Sequence, residues 1–149
     1  MDPRADVERI RQEYPHCFAC GLENPLGLRI DGFSVEGDWV IASFRPRAEY
    51  AGFDGLLHGG IVATALDEIL AWTVILKRRT LAVTGTLDIR YRRTLPPQGT
   101  YRLRGRIEQD RGSRLRLLGQ LLHNDEVAAE ARGLYLLHRE LDEELMADR

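Results

Sequence analysis

The chain has 149 residues, 44% of them hydrophobic, a formal net charge of -2 and a sequence pI near 6.1. That length fills one domain whose core needs neither disulfides nor metal, and the near-neutral charge excludes the strongly basic field of a nucleic-acid binder. Two cysteines, Cys17 and Cys20, are too few for a disulfide framework, and the N-terminal residues are charged from Asp2 onward with no apolar secretion core, so a cytoplasmic protein is expected.

Asp2 before Pro3 reads as a cap and first-turn proline, and Val7, Ile10 and Tyr14 recur at helical spacing. A short amphipathic helix is expected over the first fourteen residues, closed by Pro15. Residues 17–27, CFACGLENPLG, are rich in turn formers and predict an ordered loop. Leu28, Ile30 and Phe33, then Trp39–Phe44 across a turn at Glu36, Gly37 and Asp38, predict a hairpin. A loop follows Pro46. Residues 58–77 predict a long helix, with Lys77, Arg78 and Arg79 at the negative end of its dipole.

Beyond the helix the period changes to two. Leu87, Ile89 and Tyr91 alternate with Thr86, Asp88, Arg90 and Arg92 until Pro96, Pro97 and Gly99 stop the strand. Tyr101, Leu103 and Ile107 alternate with arginines. A turn at residues 110–113 leads to Leu115, Leu117 and Leu121, and Asn124 and Asp125 turn the chain into a last strand ending at Leu137. A four-stranded antiparallel meander is expected here, followed by an acidic tail read as a frayed helix.

The helix is apolar almost all round, yet Asp67 and Glu68 sit in its middle. The stretch reads as shorter than a bilayer span and is interrupted by these acids, so no membrane association is expected. Two strands, one long helix and four strands make an α+β order in which a curved antiparallel sheet of about six strands covers the helix, the hotdog arrangement. The expected division is a single domain over residues 1–149: N-terminal helix and CxxCG loop at 1–27, hotdog core at 28–137, tail at 138–149.

His58, Gly59 and Gly60, an acid nine positions after the histidine at Asp67, a hydroxyl at Thr84 before LDIRYRRTLP, and the upstream CFACGLENPLGL resemble the PaaI-like branch of the hotdog acyl-CoA thioesterases. The likeness spans roughly residues 17–137. It implies hydrolysis of an acyl or aryl thioester of coenzyme A, a homodimer or dimer of dimers, and no cofactor beyond the substrate itself. In the same terms Asp67 is the catalytic carboxylate, Thr84 a water-orienting hydroxyl, His58 a support for the glycine turn, and residues 17–27 a lid over the dimer seam.

The residues bear a physical reading of their own. Thioester hydrolysis needs donors aimed at the oxygen that becomes negative and a base or nucleophile opposite. Free amides at a helix N-terminus are such donors, and glycine lets a ligand approach them, so Gly59, with Gly60 helping, is the candidate oxyanion site. Asp67 lies eight residues on, about 12 Å along the helix at about 1.5 Å per residue. One carbonyl cannot touch both, so two antiparallel copies of the helix would have to share each site.

Competing readings stand beside these. Asp67 could be a structural acceptor at a packing seam, although an unpaired buried carboxylate is costly. Glu68, about 100° round the helix, cannot share the Asp67 pocket and reads as solvated or interfacial. Thr84 falls on the face opposite Leu87 and Ile89 by strict alternation, and reaches the acid only if the strand bulges at Gly85. Some members of the resembling family carry an amide six residues before the histidine. Here that position is Gly52, leaving Asp54 or a backbone amide as a second carbonyl contact.

His16, Cys17 and Cys20 raise the question of zinc, but no second ligand pair follows, and His123 and His138 show no metal spacing, so no metal is expected. Of twenty-one basic residues twenty are arginine, most on a solvated sheet face. The resemblance implies nucleotide contacts for Tyr91, Arg111, Ser113 and Arg114, since coenzyme A phosphates need charge-assisted donors. A hotdog enoyl-CoA hydratase and a non-catalytic acyl-CoA-binding domain are the alternative functions.

Overall fold

A computed structural model describes the backbone of residues 3–140 and the side chains within 5–138. The expected cap at Asp2 and the tail helix lie outside the described residues. The elements are α1 (Pro3–Glu13), β1 (Asp31–Glu36), β2 (Trp39–Phe44), a 3-10 turn (Ala48–Tyr50), α2 (Gly59–Arg78), β3 (Thr80–Tyr91), β4 (Tyr101–Asp110), β5 (Arg114–His123) and β6 (Glu126–Glu140). The strands form one antiparallel sheet in the order β1-β2-β4-β5-β6-β3, curled about α2 in the expected hotdog arrangement.

The meander is shorter than expected. Only β4, β5 and β6 follow one another across the sheet, whereas β3 pairs with β6 at the far edge and β4 pairs with β2. Alternation shows that strands exist but not which neighbour each takes. Here the link through Pro96 and Pro97 carries the chain past β6 and β5 between β3 and β4. The first strand also starts later than expected. Leu28 and Ile30 are buried, but their amides donate to Phe18 O at 2.8 Å and Ala19 O at 3.0 Å, which ties this segment to the N-terminal loop. Arg29 between them has φ 54°, which no strand accommodates.

What holds the helix against the sheet is a floor of small residues. Gly105 of β4 pairs with Gly119 of β5, which pairs with Ala131 of β6, so one row across three strands offers almost no side-chain height. A Cβ on Gly105 would lie 2.4 Å from Thr73 Oγ1, and one on Gly119 3.0 Å from Leu70 Cδ2. The helix therefore approaches closely enough to bury Ala65, Leu66, Ile69, Leu70 and Val74 completely. Phe44, Tyr101, Leu103, Leu115, Leu117 and Leu121 rise around that floor as walls.

At twenty residues with mean hydropathy 1.6, α2 is long and apolar enough by length and composition to cross a membrane, contrary to the sequence reading. Half of that stretch is buried within the chain, and the face turned to the sheet is that of a core helix. It ends at Arg79, whose left-handed backbone (φ 52°, ψ 42°) turns its N–H onto Ile75 O. That single residue links α2 to β3, so β3 must run straight back along the helix.

Gly105→Ala should lower stability by about 1–3 kcal/mol, the usual cost of forcing extra volume into a packed core. Chemical denaturation would register this as a lower midpoint at unchanged slope. A midpoint equal to that of the unsubstituted protein would mean that helix and floor are not in contact.

Candidate active site

His58 precedes α2 with extended backbone (φ -61°, ψ 133°), and its Nδ1 accepts the Gly60 N–H at 2.8 Å. An imidazole accepting at Nδ1 carries its proton on Nε2, which makes this side chain a cap for the glycine turn. The His58 carbonyl accepts from Ile61 at 3.0 Å and Val62 at 3.2 Å. Gly60 is thereby removed from the expected oxyanion pair, because its amide is already bound. The Gly59 amide is different: it is exposed and has no partner among the described residues.

Around this amide the surface is concave. Leu56, Leu57, Val62, Tyr91 and Leu95 line an apolar cleft of about 230 Å³ that includes Gly59. Gly52, Phe53 and His58 border a second recess, of about 440 Å³, on the other side of the turn. A Cβ at Gly52 would lie 3.3 Å from His58 Cα, so a longer residue there would rest against the histidine. Asp54 is exposed in the neighbouring turn. The Tyr91 hydroxyl donates to Gly59 O at 2.7 Å, fixing the end of β3 to the start of the helix.

The acid lies further along α2. Counting from the Arg79 hinge, Asp67 is twelve residues back, about 18 Å at about 1.5 Å per helical residue. Thr84 is five residues forward, about 17 Å at about 3.3 Å per strand residue. The two arrive side by side. The remaining condition is the aim of the side chain, and the strand meets it with a bulge: the β3–β6 register shifts between Thr84 and Thr86, leaving Gly85 as the extra residue. Thr84 Oγ1 consequently donates to Asp67 Oδ1 at 2.7 Å.

A second donor was missed by sequence reasoning. Tyr135, opposite Thr84 in the β6 register, donates its hydroxyl to the same Oδ1 at 2.6 Å and lies 3.2 Å from the Asp67 carbonyl. It is fully buried, and burial, reinforced by the hydrogen bond to Asp67, holds its phenol far above its ordinary value. Room for the ring comes from Gly133, where a Cβ would stand 2.5 Å from Tyr135 Cε2. The available clue was a tyrosine on the inward face of a strand otherwise lined by alanine and glycine, since a buried tyrosine needs a partner for its hydroxyl.

Two donors thus hold Asp67 Oδ1 and orient the carboxylate, while its other oxygen has no partner among the described residues. Glu68, expected to be solvated or interfacial, is partly buried within the single chain. It turns toward the N-terminal loop, where Oε1 accepts Trp72 Nε1–H at 2.9 Å and faces Cys17 Sγ at 3.9 Å. Burial, and next the charge of Cys17, push its carboxyl up to about 7. Hydrogen bonding from Cys20 draws the Cys17 thiol below its ordinary value, and the same contact together with burial pushes Cys20 up.

Within one chain the structure joins Asp67 to Thr84 and Gly59 to Tyr91, and leaves these pairs on separate parts of α2. The residues expected to meet a nucleotide are also divided. Arg111, Ser113 and Arg114 occupy the exposed β4–β5 turn, fastened to the C-terminal end of α2 by the Arg78–Asp110 ion pair, while Tyr91 stands at the N-terminal end.

No protein-family model and no curated protein matches the chain. Solved structures match its shape. A thioesterase superfamily protein, 24% identical, superposes with a TM-score of 0.74 over 82% of this chain, which spans 60% of that protein's length. The E. coli PaaI protein from the phenylacetic acid degradation operon, 15% identical, gives a TM-score of 0.75 over 92% of this chain and 96% of its own. Protein smu.793 from Streptococcus mutans UA159, solved bound to acetyl CoA, is 21% identical with a TM-score of 0.69, over 76% and 91% of the two chains. The likeness is one of fold, and the fold is that of thioesterase superfamily proteins.

With its pKa raised, Tyr135 should stay protonated in the folded protein while unfolded tyrosines ionise near pH 10. The native state then binds more protons than the unfolded one above that pH, so stability falls as the solution becomes more alkaline. In an absorbance titration Tyr135→Phe should match the unsubstituted protein until unfolding and differ by one tyrosinate only afterwards. Loss of one ionising tyrosine from the native limb would contradict the bond to Asp67.

Proposed function

We propose that the chain is an acyl-CoA thioesterase acting as a homodimer or dimer of dimers, with Asp67 of one subunit and the Gly59 amide of the other forming each reaction centre. The observation that carries this reading is a carboxylate with one oxygen held by two donors and the other left open beside an uncovered strand edge. Twelve residues of β3 form that edge. Val83 and Tyr91 are about half exposed on it, and Leu87 and Ile89 are only partly covered. A long, partly apolar edge is a template for pairing, whereas β1 at the opposite edge is short.

Antiparallel pairing of two β3 strands sets the two α2 helices antiparallel as well. The roughly 12 Å that separates Gly59 from Asp67 within one helix then becomes the offset that lets each meet its counterpart across the seam. Asp67 Oδ2 takes a proton from water as the water oxygen bonds to the thioester carbon, or itself bonds to that carbon and gives a mixed anhydride that water hydrolyses once the C–S bond has broken. The carbonyl oxygen collects the developing charge against the Gly59 amide of the partner subunit, reinforced by the helix dipole. The thiolate departs and takes up the proton. Thr84 and Tyr135 keep the carboxylate aimed, His58 keeps the turn open, and the chemistry calls on no metal and no organic cofactor. The 230 Å³ apolar cleft suits the acyl group.

Asp67→Asn should cost at least about a thousandfold in thiol release, as loss of a base or nucleophile does, without changing oligomer size in light scattering. Gly59→Pro removes the amide donor at a helix position that tolerates proline. Neither variant alone should turn over, but refolding them together should restore about a quarter of full activity, because half the dimers are mixed and each of those has one intact centre. No recovery, or a monomer in solution, would overturn the shared site.

The exposed turn of Arg111, Ser113 and Arg114 supplies cations for the nucleotide phosphates, with Tyr91 of the partner subunit at the same end of the paired helices. Arg111→Ala combined with Arg114→Ala should raise KM for acyl-CoA about tenfold and leave KM for the matching acyl-pantetheine, which lacks the nucleotide, unchanged. Equal effects on both substrates would remove these arginines from nucleotide binding.

A further inference from the structure

The second acid of α2 is not explained by thioester chemistry. Glu68 meets the N-terminal loop where Cys17 and Cys20 turn inward. The two sulfur atoms and a Glu68 carboxylate oxygen all lie within 4.8 Å of one another. We propose that Cys17, Cys20 and Glu68 form a site for a divalent ion of the zinc class, which clasps the N-terminal segment to the middle of α2.

Geometry favours an ion over a chance cluster. Zinc takes thiolate sulfur at about 2.3 Å and carboxylate oxygen at about 2.0–2.2 Å in a tetrahedron, so its ligand atoms stand about 3.5–3.8 Å apart. The Cys17 Sγ to Glu68 Oε1 separation is 3.9 Å, already near that value. The loop is shaped for a pair of thiolates. The turn closes with the Gly21 N–H on Cys17 O at 2.8 Å. Only glycine fits after the second cysteine, because a Cβ there would lie 2.4 Å from Pro15 O and 2.5 Å from Cys17 O.

The third ligand is equally well fixed. Trp72, which is 2% exposed and stacks on Phe33 at 4.4 Å, holds Glu68 Oε1 from behind through its indole N–H, the kind of outer support that ligating carboxylates receive. Charge points the same way. Three groups able to become anions converge, and no lysine, arginine or histidine among the described residues pairs with Glu68. The buried Arg11 guanidinium is committed to the carbonyls of Cys20 and Ile30. His16 is exposed and takes no part. Three protein ligands leave the fourth position of a tetrahedron to water. Two thiolates in the set select zinc over magnesium or calcium.

This inference does not rest on the thioesterase reading, and its test does not measure turnover. Fully reduced, chelator-treated protein titrated with cobalt(II) chloride should develop a thiolate-to-cobalt charge-transfer band and intense visible absorption saturating at one ion per chain. Zinc chloride should displace the cobalt. Cys17→Ser and Cys20→Ser should each weaken binding about a hundredfold or more, and Glu68→Gln about tenfold with the thiolate band retained. Absence of the band in the unsubstituted reduced protein would overturn the proposal whether or not the variants fold. So would binding that survives both cysteine substitutions, or that exceeds one ion per chain without saturating.

Discussion

The structure depends on how closely α2 can approach the sheet. A hotdog helix is covered by one curved sheet, and the depth at which it lies decides what its side chains can reach. In this chain the depth is set where Gly105, Gly119 and Ala131 form a nearly flat row beneath Leu70 and Thr73. A Cβ on Gly105 would stand 2.4 Å from Thr73 Oγ1, so helix and sheet would have to part there. Asp67 would then withdraw from Tyr135, whose hydroxyl comes from β6 and whose ring occupies space left by Gly133. Packing and chemistry are thus set by the same few residues.

Two adjacent carboxylates show how helix geometry distributes tasks. Asp67 and Glu68 differ by about 100° around the axis, enough to place one beside the open edge of the sheet and the other beneath the N-terminal loop. Their partners differ accordingly. Asp67 receives two hydroxyls on one oxygen, an arrangement that orients a carboxylate. Glu68 meets an indole N–H and a thiol in a closed setting that disfavours its charge. An acid that must act on a ligand needs the first environment. The second suits one that holds the molecule together.

Much of this was legible in the sequence because it depends on local periodicity. The long helix, the Trp39–Phe44 strand, the turns at Gly37 and Gly112, and the strands bearing alternating arginines all follow from spacing that the chain alone displays. The pairing of Asp67 with Thr84 was half legible: the residue types were evident, but their meeting required a bulge, and a bulge is settled by the partner strand. Tyr135 could not be assigned because its role depends on the β3–β6 register. The strand order failed for the same reason, since a crossover through Pro96 and Pro97 leaves no periodic trace. For Glu68 helical phase gives the direction, while what waits there, a loop fifty-one residues earlier in the chain, is a tertiary fact.

The separation of donor and acid along α2 admits a further step. Gly59 is the first residue of the helix and carries its uncompensated amide, where the dipole is positive. Asp67 sits two turns in, where that field has faded and a carboxylate is held by hydroxyls instead. A single copy cannot fold the helix back on itself to unite them, and lengthening or shortening the rod would not help, because the rise per residue is fixed. A two-fold axis solves the problem without altering the helix at all: reversal superimposes the start of one rod on the middle of the other. The β3 edge is open within the single chain, and the single-residue hinge at Arg79 runs that edge back along the helix, so the proposed axis would pass beside it.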